Sequence, residues 1–311
     1  MAGYHRPVLL REVIEALKVE AGGWYLDCTL GDGGHSIEIL KKGGNVIGLD
    51  VDPQALARAR VRLGKLGGLG RFILLRGNFR ELKNLLGKPH VAKAMWGKQT
   101  EPEGLRFEGV LFDLGVSSLQ LETPERGFSF SKIGLLDMRM DPTLGVRALD
   151  LIKAGGRKEL DELFKNLGEE KYSRAISDAV VRAREVGGIK TTGDLAELVM
   201  NVYRRAGVRT WRIHPATKVF QALRIAVNDE LNGLKEGLNQ VIDLIENNGH
   251  ILVISYHSLE DRIVKNTFRK WENEGFGQVL TKKPTTPSDE EVTNNPRSRS
   301  AKMRVFEKGI L

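Results

Sequence analysis

Two acids bracket a glycine-rich turn near the start of this 311-residue chain: Asp27, then Gly31-Asp32-Gly33-Gly34-His35-Ser36, then Asp50. Glycine lacks a Cβ and reaches positive φ freely, so such a turn lets backbone approach a bound molecule closely. An acid ending the next strand, here 19 residues past Gly31, is placed to hydrogen-bond the hydroxyls of a ribose. Asp27 precedes the turn, where a carboxylate could meet a cationic group directly or through water.

Two cofactor classes use this plan. A nicotinamide dinucleotide calls for G-x-G-x-x-G, whose third glycine would stand at position 36. That position is Ser36. S-adenosyl-L-methionine has no pyrophosphate and does not require that fingerprint. The glycines alone would also suit a plain connection in an α/β protein.

Further along, Asp113 ends the apolar run GVLFDL. The C-terminal edge of parallel strands is where ligands bind in open α/β sheets, so Asp113 joins Asp50 as a site candidate. Arg204, Arg205, Arg209 and Arg212 surround Trp211, a basic cluster with an aromatic that could stack on a base. Arg297, Arg299, Lys302 and Arg304 form a second cluster suited to phosphates. A solvated charged surface would have the same composition. His257, Ser258, Glu260 and Asp261 lie together, but no cysteine or third metal ligand accompanies them, and sequence proximity does not make a triad. No metal site is expected; HSLEDR is taken as a strand-to-helix turn near the substrate.

The elements that must hold these residues alternate. Pro7–Lys18 is patterned as an amphipathic helix. Strands are expected at 24–30, 45–50, 71–75 and 109–114, with helices at 36–42 and 54–66 and Pro53 at the first helical position. Short apolar strands alternating with helices imply a doubly wound, mainly parallel sheet covered on both faces. From Leu121 to Val208 no comparable strand occurs; helices are expected at 148–152, 158–167, 170–186 and 192–206, the last capped by Thr191 or Thr192. This predicts an inserted all-helical domain at 122–208, splitting an α/β domain into 1–121 and 209–311. Residues 216–246 suit one or two long helices and 249–256 another buried strand, whereas Lys282–Pro296, rich in Pro, Thr, Ser and Asn, is expected to be a flexible loop.

The whole chain sets bounds. The net charge is +8 and 41% of residues are hydrophobic. The basic excess is densest at 262–311, with 11 positive and 6 negative side chains. This favours a polyanionic partner. No run of eighteen apolar residues exists, so no membrane association is expected. With Cys28 as the single cysteine and no apolar leader, a cytoplasmic location is expected. The oligomeric state is left open.

The combination GDGGHS (31–36), LDVDP (49–53), DLGVSSLQL (113–121), RGFSF (126–130), LDMRMD (136–141), FQALRIAVNDEL (220–231), ISYHSLEDRIVK (254–265) and NPRSRSAKMR (295–304) closely resembles the RsmH/MraW family. The match runs in order from His5 to about Arg304. The resemblance implies a Rossmann-like class I methyltransferase that uses S-adenosyl-L-methionine. Its implied target is the exocyclic N4 amine of a decoding-region cytosine, nucleotide 1402 in the usual numbering, of 16S rRNA in the small ribosomal subunit. It does not say whether free RNA, an assembly intermediate or the mature subunit is the substrate.

The resemblance further implies that Gly33, Gly34 and His35 line the methionine and ribose side, that Asp50 binds the ribose, that Phe79 lies against the adenine, and that Asp113 and Gln120 complete the pocket. Taken alone, Phe79 would equally be a core aromatic, His35 a capping or packing histidine, and Gln120 a loop residue. Methyl transfer from a sulfonium is an in-line displacement in which the protein chiefly supplies alignment. The cytosine amine is a poor nucleophile, and an acceptor on its N–H would help; Asp113 is the candidate. Many base-amino methyltransferases carry Asp/Asn/Ser-Pro-Pro-aromatic at this point, whereas this chain has DLGVSS, so the clamp on the base is not evident. The base must also be unpaired or flipped out. The helical insertion is expected to help recognise RNA, with Arg209, Trp211, Arg212, Arg297, Arg299, Lys302 and Arg304 as RNA contacts.

Overall fold

A computed structural model describes residues 6–88, 91 and 106–310; His5 lies outside them. The chain forms two compact units, one of residues 1–115 with 231–311 and one of 116–230.

The first unit opens with α1 (Leu10–Leu17), which buries Val13 and Leu17. This helix starts later than its apolar pattern implies. Leu9 is left-handed at φ 52°, and the preceding residues are held against the turn at Gly34 and His35. Then come β1 (Trp24–Asp27), α2 (Gly34–Lys41), β2 (Asn45–Asp50), α3 (Pro53–Gly64), β3 (Phe72–Arg76), α4 (Leu82–Leu86) and β4 (Phe107–Asp113). Asp52 caps α3 by accepting the Gln54 N–H at 3.0 Å, with Pro53 at the first helical position as expected.

The second unit contains α5 (Ser118–Glu122), α6 (Ala148–Ala154), α7 (Arg157–Gly168), α8 (Ser173–Glu185), α9 (Thr192–Arg205) and α10 (Ala216–Asn228). Thr191 caps α9 in a reciprocal pair with Asp194. The unit is wider than the 122–208 read from the sequence. Val219, Phe220, Ala222 and Leu223 of α10 pack into the same core as Leu160, Phe164 and Ile176, and Val116 and Leu121 pack against it. At Gly168 a Cβ would meet the Lys218 carbonyl oxygen at 2.6 Å, so α7 and α10 touch backbone to backbone. Periodicity marks α10 as a helix but cannot say which core takes its apolar face. The unit is not helical throughout either: 127–147 is irregular apart from an isolated bridge between Leu135 and Thr191.

The first unit resumes along α11 (Glu230–Val241), separated from α10 by Asp229 at φ 49°. β5 (Ile245–Ser255), α12 (Ser258–Asn273), β6 (Gly277–Val279), α13 (Asp289–Asn294) and β7 (Lys302–Lys308) complete it. The expected flexible loop at 282–296 is instead anchored. Thr285 bridges to Met303, Ser288 caps α13 through the Glu291 N–H, and Asn295 is buried. Turn-forming residues supply its caps and turns, so composition misreads it as slack.

The seven-stranded sheet has the order β3-β2-β1-β4-β5-β7-β6. β1 to β5 pair in parallel, and β7 runs antiparallel to both its neighbours. Alternate residues feed opposite faces: Trp24 and Leu26 join Phe112, Phe268 and Phe306 on one side, while Tyr25 joins Val13, Ile39 and Val305 on the other. A sheet buried on both faces leaves its strand ends as the accessible edge. The expected α/β class with a mainly parallel sheet is what the chain adopts. Among the described residues no helix is long and apolar enough to cross a membrane.

Candidate cofactor and active site

The strand order reverses at β1, which lies between β2 and β4. At that switch point the connections leave in opposite directions and open a crevice beyond the carboxyl ends. Asp27, Asp50 and Asp113 end these three strands.

The glycine turn needs its glycines. Gly31 has φ 55° and Gly33 has φ 80°, a region costly for residues with a Cβ. A Cβ at Gly34 would stand 2.5 Å from Pro7 Cγ, so the segment entering α1 lies directly on the turn. His35 secures that segment. Its Nε2 lies 2.9 Å from the Val8 carbonyl, which can only accept, so the proton sits on Nε2. Burial lowers the His35 pKa, and the ring is neutral with Nδ1 as an acceptor. The side chain is thus turned into the protein.

Asp50 is held by backbone. Its Oδ2 accepts the Gly31 N–H and its Oδ1 the Asp52 N–H, each at 2.8 Å. Burial raises its pKa to about 6 against these hydrogen bonds. Each oxygen keeps a further lone pair for a ligand hydroxyl. Asp27 is 2% exposed and accepts from Ser36 Oγ at 2.7 Å. Ser36, the residue that breaks a nicotinamide fingerprint, therefore serves the acid at the end of β1. Burial raises the Asp27 pKa also.

Asp113 ends β4 with its N–H donated to Thr29 Oγ1 at 2.6 Å. Its Oδ1 accepts from the Tyr256 hydroxyl at 2.7 Å, and its Oδ2 lies 3.8 Å from His35 Nδ1. Burial pushes the Asp113 pKa up to about 7, opposed by the Tyr256 hydrogen bond and reinforced by Glu260. A carboxyl near neutrality at a strand end is suited to exchanging a proton with a bound group.

The other expected site residues are placed differently. Phe79 meets Phe112 edge-on at 5.4 Å and packs against Gly237, where a Cβ would come within 2.8 Å of its ring. It is a half-buried part of the core rim. Gln120 belongs to the second unit, where its Oε1 accepts the Ser117 N–H at 2.9 Å in the capping box of α5. Arg209, Trp211 and Arg212 are exposed on the second unit, with the Trp211 ring edge-on to His214, which stacks on Phe130 at 4.5 Å. Arg297 and Arg299 are exposed on the first. Arg304 is a correction. It is 5% exposed and donates to both Asp261 oxygens, at 2.6 and 3.3 Å, so it pins β7 to α12 and is not offered to phosphates. Lys302 is partly exposed, 3.8 Å from the same carboxylate.

Tyr256 ends the strand expected at 249–256 and Glu260 is set aside with the HSLEDR turn, so neither is a site candidate from the sequence; the pairing of β5 beside β4 brings Tyr256 to Asp113. Nothing in the sequence singles out Glu291, whose Oε1 accepts the Leu9 N–H at 2.8 Å and ties the C-terminal segment to the turn's cover.

The model of the MraW methylase family matches residues 2–309. The chain is 46% identical over 303 residues to the ribosomal RNA small subunit methyltransferase H of Persephonella marina, covering 97% of this chain and 98% of that protein. It is 43% identical over 320 residues to the protein of the same name from Carboxydothermus hydrogenoformans, covering 98% and 97%. The crevice could suit a nucleoside with a charged tail: side-chain-free backbone at Gly31 and Gly33, a hydroxyl-accepting carboxylate at Asp50, and acids at 27 and 113. With strand-end chemistry, a family match over almost the full length and close relatives in agreement, the chain belongs to the MraW methylase family, whose cofactor is S-adenosyl-L-methionine.

Proposed function

We propose that this chain methylates the exocyclic N4 amine of a cytosine in 16S rRNA, at nucleotide 1402 of the small ribosomal subunit in the usual numbering. The relatives' names support the RNA, and the resemblance in GDGGHS, DLGVSSLQL and ISYHSLEDRIVK supports the base. One observation carries the chemistry: the Asp113 carboxyl ends the strand beside the glycine turn, with one oxygen hydrogen-bonded by the Tyr256 hydroxyl at 2.7 Å.

When bound, S-adenosyl-L-methionine supplies a methyl group already activated on a sulfonium. The chain's residues do the rest. Backbone at Gly33 and Gly34 cradles the cofactor and Asp50 accepts from its ribose, with Phe79 and Gln120 added by the resemblance. Asp113 accepts an N–H of the amine, which raises electron density on a nitrogen otherwise delocalised into the ring. The second unit, and in it the helical insertion expected at 122–208, takes part in RNA recognition. Arg209, Trp211 and Arg212 there, and Arg297, Arg299 and Lys302 on the first unit, contact phosphates, with Trp211 offering a face to an unpaired base. A cytoplasmic location follows from this substrate.

The test uses labelled S-adenosyl-L-methionine with small subunits from a strain lacking the activity, followed by RNA digestion and nucleoside mass analysis. Label on N4 of one decoding-region cytosine is expected. Label on another base, or none despite cofactor binding to the same preparation, overturns the assignment.

A further inference from the structure

Asp113 is the end of a chain of contacts that runs away from the glycine turn. Glu260, 2% exposed in the first turn of α12, accepts the Tyr256 N–H at 2.8 Å and the His257 N–H at 3.2 Å. This fixes the backbone where β5 turns into α12. The Tyr256 ring then lies on Gly115, where a Cβ would already be 3.4 Å from the ring and where φ is 98°. From there its hydroxyl reaches Asp113 Oδ1 at 2.7 Å. The other oxygen is treated differently. Among the described residues none donates a hydrogen bond to Oδ2, and His35 Nδ1, 3.8 Å away, is beyond hydrogen-bond range and carries a lone pair.

We infer that Tyr256 is a positioning residue of the methyl transfer, one that occupies Oδ1 of Asp113 and so leaves Oδ2 as the oxygen that takes the amine proton. The inference rests on the proposed role of Asp113. As the nitrogen–methyl bond forms and the methyl–sulfur bond breaks, its electron pair staying on sulfur, the amine proton passes to Oδ2 and then to solvent. Tyr256 also favours the ionised form of Asp113 against the burial that raises its pKa, because a hydrogen bond to a carboxylate stabilises the charge. Burial and neighbouring Asp113 hold the phenol well above its usual pKa, so it stays a donor throughout the working range. The charged or titratable groups facing this pair are His35 from α2, Asp27 from β1, and Glu260 from α12, with Glu291 from α13 acting on Tyr256.

The experiment is the pH–rate profile of methylation on small subunits for wild type, Tyr256→Phe, and enzyme carrying 3-fluorotyrosine at 256. Removing the phenol should move the acid limb up by about one pH unit, giving about a fivefold loss at pH 7 that is recovered near pH 9, with cofactor affinity unchanged. Fluorination makes the phenol a stronger donor and should move the limb the opposite way. Opposite shifts establish the role. A limb that neither change moves, or a loss equal at every pH, overturns it. The fluorinated side chain is nearly isosteric, so it decides the matter even if Tyr256→Phe fails to fold. Failure of the underlying assignment looks different: Asp113→Asn retaining full activity, or label on a base other than cytosine.

Discussion

The carboxylate of Asp50 accepts the backbone N–H of Gly31 at 2.8 Å, joining the end of β2 to a left-handed glycine 19 residues earlier. The acid proposed to bind a ribose is therefore oriented by the turn proposed to cradle the cofactor. Asp50→Asn keeps the shape but turns a charge-assisted acceptor into a weak one. It should weaken cofactor affinity by about tenfold to a hundredfold, measured by titration calorimetry. In the wild type, affinity should fall as pH drops through about 6, where Asp50 takes up a proton. The stability effect has the opposite sense. Because the folded value is raised, the folded chain binds this proton first, and Asp50 lowers stability progressively as pH rises from the ordinary carboxylate range to about 6. Asp50→Asn should flatten that slope in thermal melts.

Asp113→Asn should reduce kcat by about a hundredfold or more, the range expected for loss of a general base, with a smaller loss of cofactor affinity. Wild-type activity should decline as pH falls through about 7, the point at which Asp113 becomes protonated. Single-turnover rates across pH 5.5–9 (about the span in which a group of this pKa titrates) check both.

Gly34→Ala tests the cover of the site. Its Cβ would press on Pro7 Cγ at 2.5 Å, and Pro7 cannot withdraw simply, because Val8 is held by His35 and Leu9 by Glu291. A loss of about 1–3 kcal/mol in stability is expected, the usual cost of overpacking, together with weaker cofactor binding. Chemical denaturation with and without cofactor measures each.

The basic residues should separate into two kinds. Arg209→Glu with Arg212→Glu should abolish RNA binding, measured by filter retention at two salt concentrations, and leave cofactor binding unchanged. Arg304→Ala should destabilise the fold by about 3 kcal/mol, since it strands the Asp261 carboxylate without its bidentate partner. Unaltered melting of Arg304→Ala would return that residue to the surface set.

The alternation of apolar strands and helices was enough to define a mainly parallel α/β sheet, because period and turn chemistry are local properties. The turn glycines 31, 33 and 34 and the acids at 50 and 113 could be proposed as site residues for the same reason: turn and strand ends are announced by the local sequence. What stayed hidden depends on neighbours distant in the chain. α10 belongs to the second unit because its apolar face is buried with Leu160, Phe164 and Ile176, with Gly168 allowing a close approach. Arg304 turns inward because the register of β7 sets it opposite Asp261. Tyr256 meets Asp113 across 143 residues only because β5 lies beside β4. Residue types and spacing thus determined which chemistry the chain can offer. Long-range strand pairing, which no local pattern encodes, decided which oxygen of Asp113 is held by Tyr256.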